Sequence, residues 1–394
     1  MIYVVIICVI LIQIYVFDFK QSKRYKKFNY NLVLLVLILL AGLRYRVGLD
    51  TIGYMRDYAI IPTINQLTFS MIKGASYDPL YFILSSFAKT ISSDFVIMQF
   101  IQAIIVNCCV FYFIRKNTQY IFSAVLFYCI FGYFNFNYEV MREAIAVSFF
   151  LLSFDFLIKK KYIKYYLFAT LAFLSHSSAI VLFILPLFVN LKINRFLLLY
   201  LILSIIAVSL IATHFNDLLK IISLTDRISN KANLYSDDLL TGKAVNFNGM
   251  IGFIMSYIIY PLICFFILRK IDNTYYCNYQ FPLILIMFIV ILLSQVALFY
   301  RFLNYFILFD ILLFAEFSGK VYNYIQTRIR WLSGTIILSM FFFALVSLYF
   351  YGFIFVSHKG GYSDYNRYFP YESILTRKID NDRERMFLYY DMGF

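Results

Sequence analysis

The apolar residues of this chain arrive in blocks of about 14 to 22, the length a helix needs to cross roughly 30 Å of hydrocarbon. Short basic or polar stretches separate them. Of 394 residues, 62% are hydrophobic and 14% are charged, whereas soluble domains carry roughly 25% charged residues. No water-soluble core could absorb that excess, and the blocks lack the two-residue alternation of a membrane β-barrel. The chain is expected to be an all-α, polytopic integral membrane protein. In order, the spans fall at 2–17, 30–43, 95–114, 119–136, 142–158, 163–175, 178–190, 195–212, 249–268, 280–299, 302–318 and 331–356, about twelve transmembrane helices in all.

A net charge of +14 could point to nucleic acid. The Lys and Arg residues, however, sit between apolar blocks instead of gathering on one amphipathic element, which is the positive-inside pattern of a membrane protein and excludes a nucleic-acid partner. Cys8, Cys108, Cys109, Cys129, Cys264 and Cys277 fall in or beside apolar segments without a CxxC pair, and read as small core residues. The first block lacks a preceding basic region and a small-residue cleavage site; Lys20, Lys23, Arg24, Lys26 and Lys27 come after it. It is read as a retained first helix with its N-terminus outside.

Segment 77–92 approaches a span in apolarity but carries Asp78, Pro79, Ser85, Ser86 and Lys89. Placing it at the outer interface, as an amphipathic or re-entrant helix, puts the basic clusters at 20–27, 115–116, 159–164, 192–195, 269–270 and 328–330 together on the cytoplasmic side. The expected organisation is a single membrane domain over 1–394, with an outer loop and interfacial helix at 44–94, a second outer loop at 213–248 and an outer tail at 357–394.

A second set of cations then remains at the opposite ends of the helices: Arg44 and Arg46 in RYRVGLDTIGY, Arg142 in YEVMREAIA, Arg301 in FYRFLNYF, and His176 in SHSSA. An Arg near the bilayer centre costs at least ~2.5 kcal/mol, and less toward the interface. Repeating that cost on one side implies an anionic partner there. Guanidinium groups grip phosphate with a planar, two-pronged hydrogen-bond fork that lysine lacks. Each residue alone also has an ordinary explanation: Arg snorkels to headgroups, a lone His packs, Asp50 and Asp57 solvate a loop, and Glu139 and Glu143 pair with Arg142. Most of the abundant Tyr and Phe are core, lipid-facing or interfacial.

Three motifs follow one another: Arg44-x-Arg46-x-Gly48-x-Asp50-x-x-x-Tyr54, then Met141-Arg142-Glu143-x-Ile145-Ala146, then His176-Ser177-Ser178-Ala179. In this order the chain resembles the EpsG-like, Wzy-type family of exopolysaccharide and O-antigen polymerases, over about residues 40 to 190 and more loosely through Arg301 and the tail at 367–371. The resemblance implies a membrane glycosyltransferase at the outer face of the bacterial cytoplasmic (inner) membrane. A growing glycan would pass from undecaprenyl pyrophosphate to a lipid-linked repeat unit. By position, Arg44, Arg46, Tyr54, Arg142 and Arg301 would contact substrate, beside Asp50 and His176. The family's common Arg-Gln pair is Arg142-Glu143 here, which leaves Glu143 either neutralising the arginine or acting as a base.

His176, with an unperturbed pKa of about 6.5, is the leading general-base candidate; Asp50 and Glu143 compete for that role. No metal-binding signature and no cofactor are expected, arginines doing the work of a divalent cation. The expected partners are the lipid-linked oligosaccharide donor and acceptor, membrane lipid, and a regulator of chain length. Two other functions share the sequence features: a glycan ligase or acyltransferase on the same lipid-linked substrate, and a transporter or flippase of lipid-linked oligosaccharide, for which Asp155, Asp310 and Glu316 are the relevant membrane carboxylates.

Overall fold

The computed structural model describes residues 2–48, 50–75, 77–194, 196–197, 199–204, 254–271, 280–293, 300–328, 333–352, 355–356, 365–379, 381 and 384. Two compact units divide the chain: Met1–Phe183 with Ser318–Phe394, and Ile184–Phe317.

In the first unit, α1 (Ile2–Gln13) runs into a π-helical end, Ile14–Phe19. It is followed by α2 (Lys26–Gly42), α3 (Thr51–Ile60), α4 (Phe69–Gly74), α5 (Pro79–Ile91), α6 (Val96–Asn117), α7 (Ile121–Phe131), α8 (Met141–Ile158) and α9 (Tyr162–Ser175). A 3₁₀ helix, Ser177–Leu187, returns along α9, where the Tyr165 hydroxyl donates to the Leu182 carbonyl at 2.6 Å. α8 packs on α6 and α9, α2 on α6, and α1 on α7. α7 is buried on every side, each residue from Ile121 to Ile130, as an apolar helix without a polar stripe must be.

Past α7 the chain continues in a π turn, Asn135–Glu139. The expected span over 119–136 is thus a shorter α-helix with a widened extension. Its opened backbone is supported inside the protein, where the Asn107 amide donates to Asn137 Oδ1 at 2.8 Å and the Tyr128 hydroxyl donates to Asn107 Oδ1 at 3.1 Å. The extension places Tyr138 and Glu139 at the end of the bundle.

The two ends of this unit's helices are told apart by the contacts made there. At one end Lys26 Nζ reaches the Gln119 carbonyl at 3.0 Å and Asp18 at 3.4 Å, and Lys116 pairs with Asp155. At the other end the Gln99 amide donates to the Arg44 carbonyl at 3.0 Å, and the Tyr3 hydroxyl lies 3.4 Å from both the Tyr138 hydroxyl and the Tyr368 carbonyl. These are called below the lysine end and the arginine end.

α5 begins and ends at the arginine end. Its first turn meets α3 and the start of α8, and a short link joins its last residue to the first turn of α6. Its 13 residues are about 20 Å long, too short to cross a bilayer. Pro79 at its first position starts it where a missing N–H costs nothing.

In the second unit, a π turn (Met255–Ile259) leads into α10 (Tyr260–Ile271); α11 (Gln280–Leu293) and the first part of α12 (Tyr300–Arg328) follow. The Tyr260 ring packs on Phe314 at 5.0 Å. The last turns of α12 belong to the first unit, as do α13 (Ser333–Gly352) and a two-residue antiparallel pair, Phe355–Val356 with Tyr365–Asn366.

Three helical stretches are long and apolar enough to cross a membrane: Ile2–Phe19, Val96–Asn117 and Arg301–Arg328. Shorter apolar helices lie at Ile121–Phe131, Ser177–Leu187, Gln280–Leu292 and Gly334–Val346. The expected total of about twelve spans is not reached among the described residues. The expected spans at 195–212, 249–268, 280–299 and 331–356 fall partly outside those residues, as does the outer tail, and the loop at 213–248 falls wholly outside them.

Candidate functional site

The arginine end is built around the loop between α2 and α3. Gly48 has φ +101°, and a Cβ there would sit 2.8 Å from the Tyr138 carbonyl oxygen, so both the backbone shape and the close approach require glycine. Thr51 Oγ fixes the same turn by donating to the Val47 carbonyl at 2.7 Å. The C-terminal tail crosses behind it: Tyr45 N–H donates to the Glu372 carbonyl and Ile374 N–H to the Leu43 carbonyl, both at 2.8 Å.

Glu139 is the electrostatic centre of this region. Only 3% exposed, it accepts from Arg367 Nε at 2.8 Å with one oxygen and from the Asp50 N–H at 3.2 Å with the other. Burial pulls the Arg367 guanidinium down, but Glu139, Tyr368 and Asp50 more than offset it and hold it above its ordinary range. Arg46, in the left-handed region at φ +53°, presents two nitrogens to the two carboxylate oxygens of Glu384. Asp50 precedes α3 as its cap residue, with an exposed side chain that makes no capping hydrogen bond.

Arg44 lies beneath this loop. It is 0% exposed; Nη1 donates to the Ala41 carbonyl at 2.6 Å, Nη2 lies 3.4 Å from Met141 Sδ, and the guanidinium stacks over the Tyr138 ring at 5.0 Å. Burial pushes it below its ordinary pKa, against the opposing pull of Tyr138, Tyr133 and Glu139. The structure therefore shows Arg44 as a fully enclosed cation under the site. Glu143, 2% exposed, faces the packed interior of α8.

Arg142 has different surroundings. It opens α8 half-buried, with its guanidinium 4.6 Å from the centre of the Tyr77 ring and 5.9 Å from that of Tyr54. The Tyr54 hydroxyl is its polar neighbour, and its Nε finds no acceptor. No carboxylate among the described residues forms an ion pair with it. Tyr54 and Tyr77 come from α3 and from the turn before α5, and Tyr81 in the first turn of α5 closes the aromatic wall, its ring 5.5 Å from that of Tyr77. Burial raises the Tyr54 and Tyr77 hydroxyls above their ordinary pKa, and the bond to Asp57 raises Tyr77 further, so both keep their protons near neutrality.

His176 ends α9, its N–H donating to the Ala172 carbonyl at 2.9 Å, and is 5% exposed. Its Nδ1 accepts the Ser178 N–H at 3.2 Å and lies 2.7 Å from Ser178 Oγ. With Nδ1 used as an acceptor, a neutral ring carries its proton on Nε2. Arg301, in the first turn of α12, is partly buried and belongs to the other unit. Among the described residues no group of three His, Cys, Asp or Glu side chains is arranged to hold a metal ion.

The structure thus brings Tyr54 to Arg142, and Asp50 to Glu139 and Arg367. It adds Tyr77 and the acid that Tyr77 holds, Asp57, to which sequence reasoning assigned no site role. Their signals were slight: Tyr77-Asp78-Pro79 marks a helix start, and Asp57 lies three residues after Tyr54, on the same face of α3.

The fold and this end of it define a helical membrane protein with a partly buried arginine that has no carboxylate ion pair among the described residues. A family model described as EpsG family matches residues 27–373, from the first turn of α2 to the tail strand that pairs with Arg44. The chain belongs to the EpsG family, a Wzy-like polysaccharide polymerase family. No curated protein and no solved structure matches it.

Proposed function

We propose that this chain joins lipid-linked oligosaccharide repeat units into polymer at the outer face of a bacterial cytoplasmic membrane, releasing the polyprenyl pyrophosphate carrier. One observation carries this reading: Arg142 is a half-buried guanidinium with an aromatic wall, no carboxylate partner and an unused Nε. A buried cation left without a counter-ion is costly, and a diphosphate supplies the missing charge with fork geometry.

In the reaction, the acceptor sugar hydroxyl forms a bond to the anomeric carbon of the donor glycan as the bond from that carbon to the carrier phosphate breaks. The electron pair leaves on the pyrophosphate, which Arg142 stabilises. The acceptor proton goes to Asp50, whose side chain is exposed. His176, with Nδ1 engaged by Ser178, serves as a donor from Nε2 in place of a base. Arg44 supports the loop from below and adds positive potential. Glu143, buried on α8, has no part in the proton transfer.

Arg142→Lys keeps the charge and loses the fork. In cells carrying it, polymer is expected to fall roughly 100-fold while carrier-linked single repeat units accumulate. Wild-type polymer would overturn the assignment, and long carrier-linked chains left untransferred would point to a ligase.

A further inference from the structure

The acid within α3 is Asp57, one turn after Tyr54, whose ring lies 5.9 Å from the Arg142 guanidinium. A carboxylate so placed would ordinarily swing onto a half-buried arginine and neutralise it. It does not. Asp57 Oδ2 accepts the Tyr77 hydroxyl, and Oδ1 lies 3.5 Å from Arg56 Nε on the exposed face of the helix. The same Tyr77 ring lies 4.6 Å from the Arg142 guanidinium.

We propose that Tyr77 is a positioning residue that separates an acid from a cation: its hydroxyl holds Asp57 aside while its ring steadies Arg142, and the guanidinium stays open for a diphosphate. The proton inventory agrees, because a protonated tyrosine hydroxyl can only satisfy a carboxylate by donating to it. The ring face supplies cation–π attraction without charge neutralisation. Tyr77 is placed by the turn before α5, and Pro79 fixes the start of that helix. The inference rests on Arg142 as the phosphate contact and adds the residues that keep it available.

The test measures binding of inorganic pyrophosphate to purified full-length protein by calorimetry, for wild type, R142A, Y77F, D57N and the Y77F/D57N double variant. Y77F keeps the ring and frees the acid, so binding is expected to weaken about tenfold. D57N should bind as tightly as wild type or more tightly. The double variant should return to within about threefold of wild type, since removing the acid's charge makes its restraint unnecessary.

Rescue is the informative arm, because a purely structural tyrosine would leave the double variant as weak as Y77F. That result, or Y77F binding like wild type, or D57N binding more weakly, would overturn the separating role while Arg142 remained the anion contact. Wild type that fails to bind pyrophosphate, or R142A that binds equally well, would instead overturn the anion site and the polymerase mechanism built on it. Thermal unfolding of each variant confirms that a loss of binding is not a loss of fold.

Discussion

Arg44 and Arg142 carry the same side chain and lie at the same end of one unit, yet their surroundings separate them. The Nε of each finds no acceptor, but Arg44 is fully closed over, with a carbonyl and a thioether taking its Nη atoms, whereas Arg142 is only partly buried and lies against the Tyr77 ring. Burial and ring neighbours, not residue type, separate the two. Gly48 serves the loop above Arg44. Gly48→Ala would strain a positive φ and press a methyl against the Tyr138 carbonyl. A loss of about 1–3 kcal/mol in stability is expected, read as a lower unfolding temperature of the purified protein. An unchanged value would mean that the loop takes another path.

At the scale of elements, the tail and the π turn hold the loop that carries Arg46 and Asp50. The junction is Glu139 between Arg367 and the α3 cap. Glu139→Gln keeps the shape and removes the charge, leaving Arg367 unpaired, and should cost about 3 kcal/mol. Because the contact lies between tail and loop, limited proteolysis is the sharper readout: the tail around 367–379 should become cleavable before the helices do. Protection equal to wild type would show that the backbone pairs at Tyr45 and Ile374 suffice. α5 offers a complementary lesson. Its amphipathic composition and Asp78-Pro79 start were readable in the sequence. That its first turn forms the wall beside Arg142 was not readable, because that depends on how α3 folds back over α8.

At the largest scale, the placement of cations distinguishes the two ends of the first unit. Lysine-rich turns gather at one end of the first unit, and Arg44, Arg46 and Arg142 at the other. If the arginine end faces outside, a membrane-impermeant maleimide applied to intact cells should label Thr376→Cys, beside the tail pair, and spare Lys160→Cys at the lysine end, each in a background without the native cysteines. Reversed labelling would put the site in the cytoplasm and remove the lipid-linked donor from reach.

Apolar block length, basic spacing and the ordered Arg, Arg-Glu and His motifs determined by themselves that this is a helical membrane protein of a polymerase family, because hydrocarbon thickness and charge cost act on local sequence. Tertiary structure alone decided which cations are open. Arg44, Arg142 and His176 differ in their surroundings: Met141 and Tyr138 come to the first and Tyr54 and Tyr77 to the second from distant segments, and Ser178 engages the ring of the third. Pairing and desolvation are properties of the assembled site, and no spacing of residues along the chain encodes them.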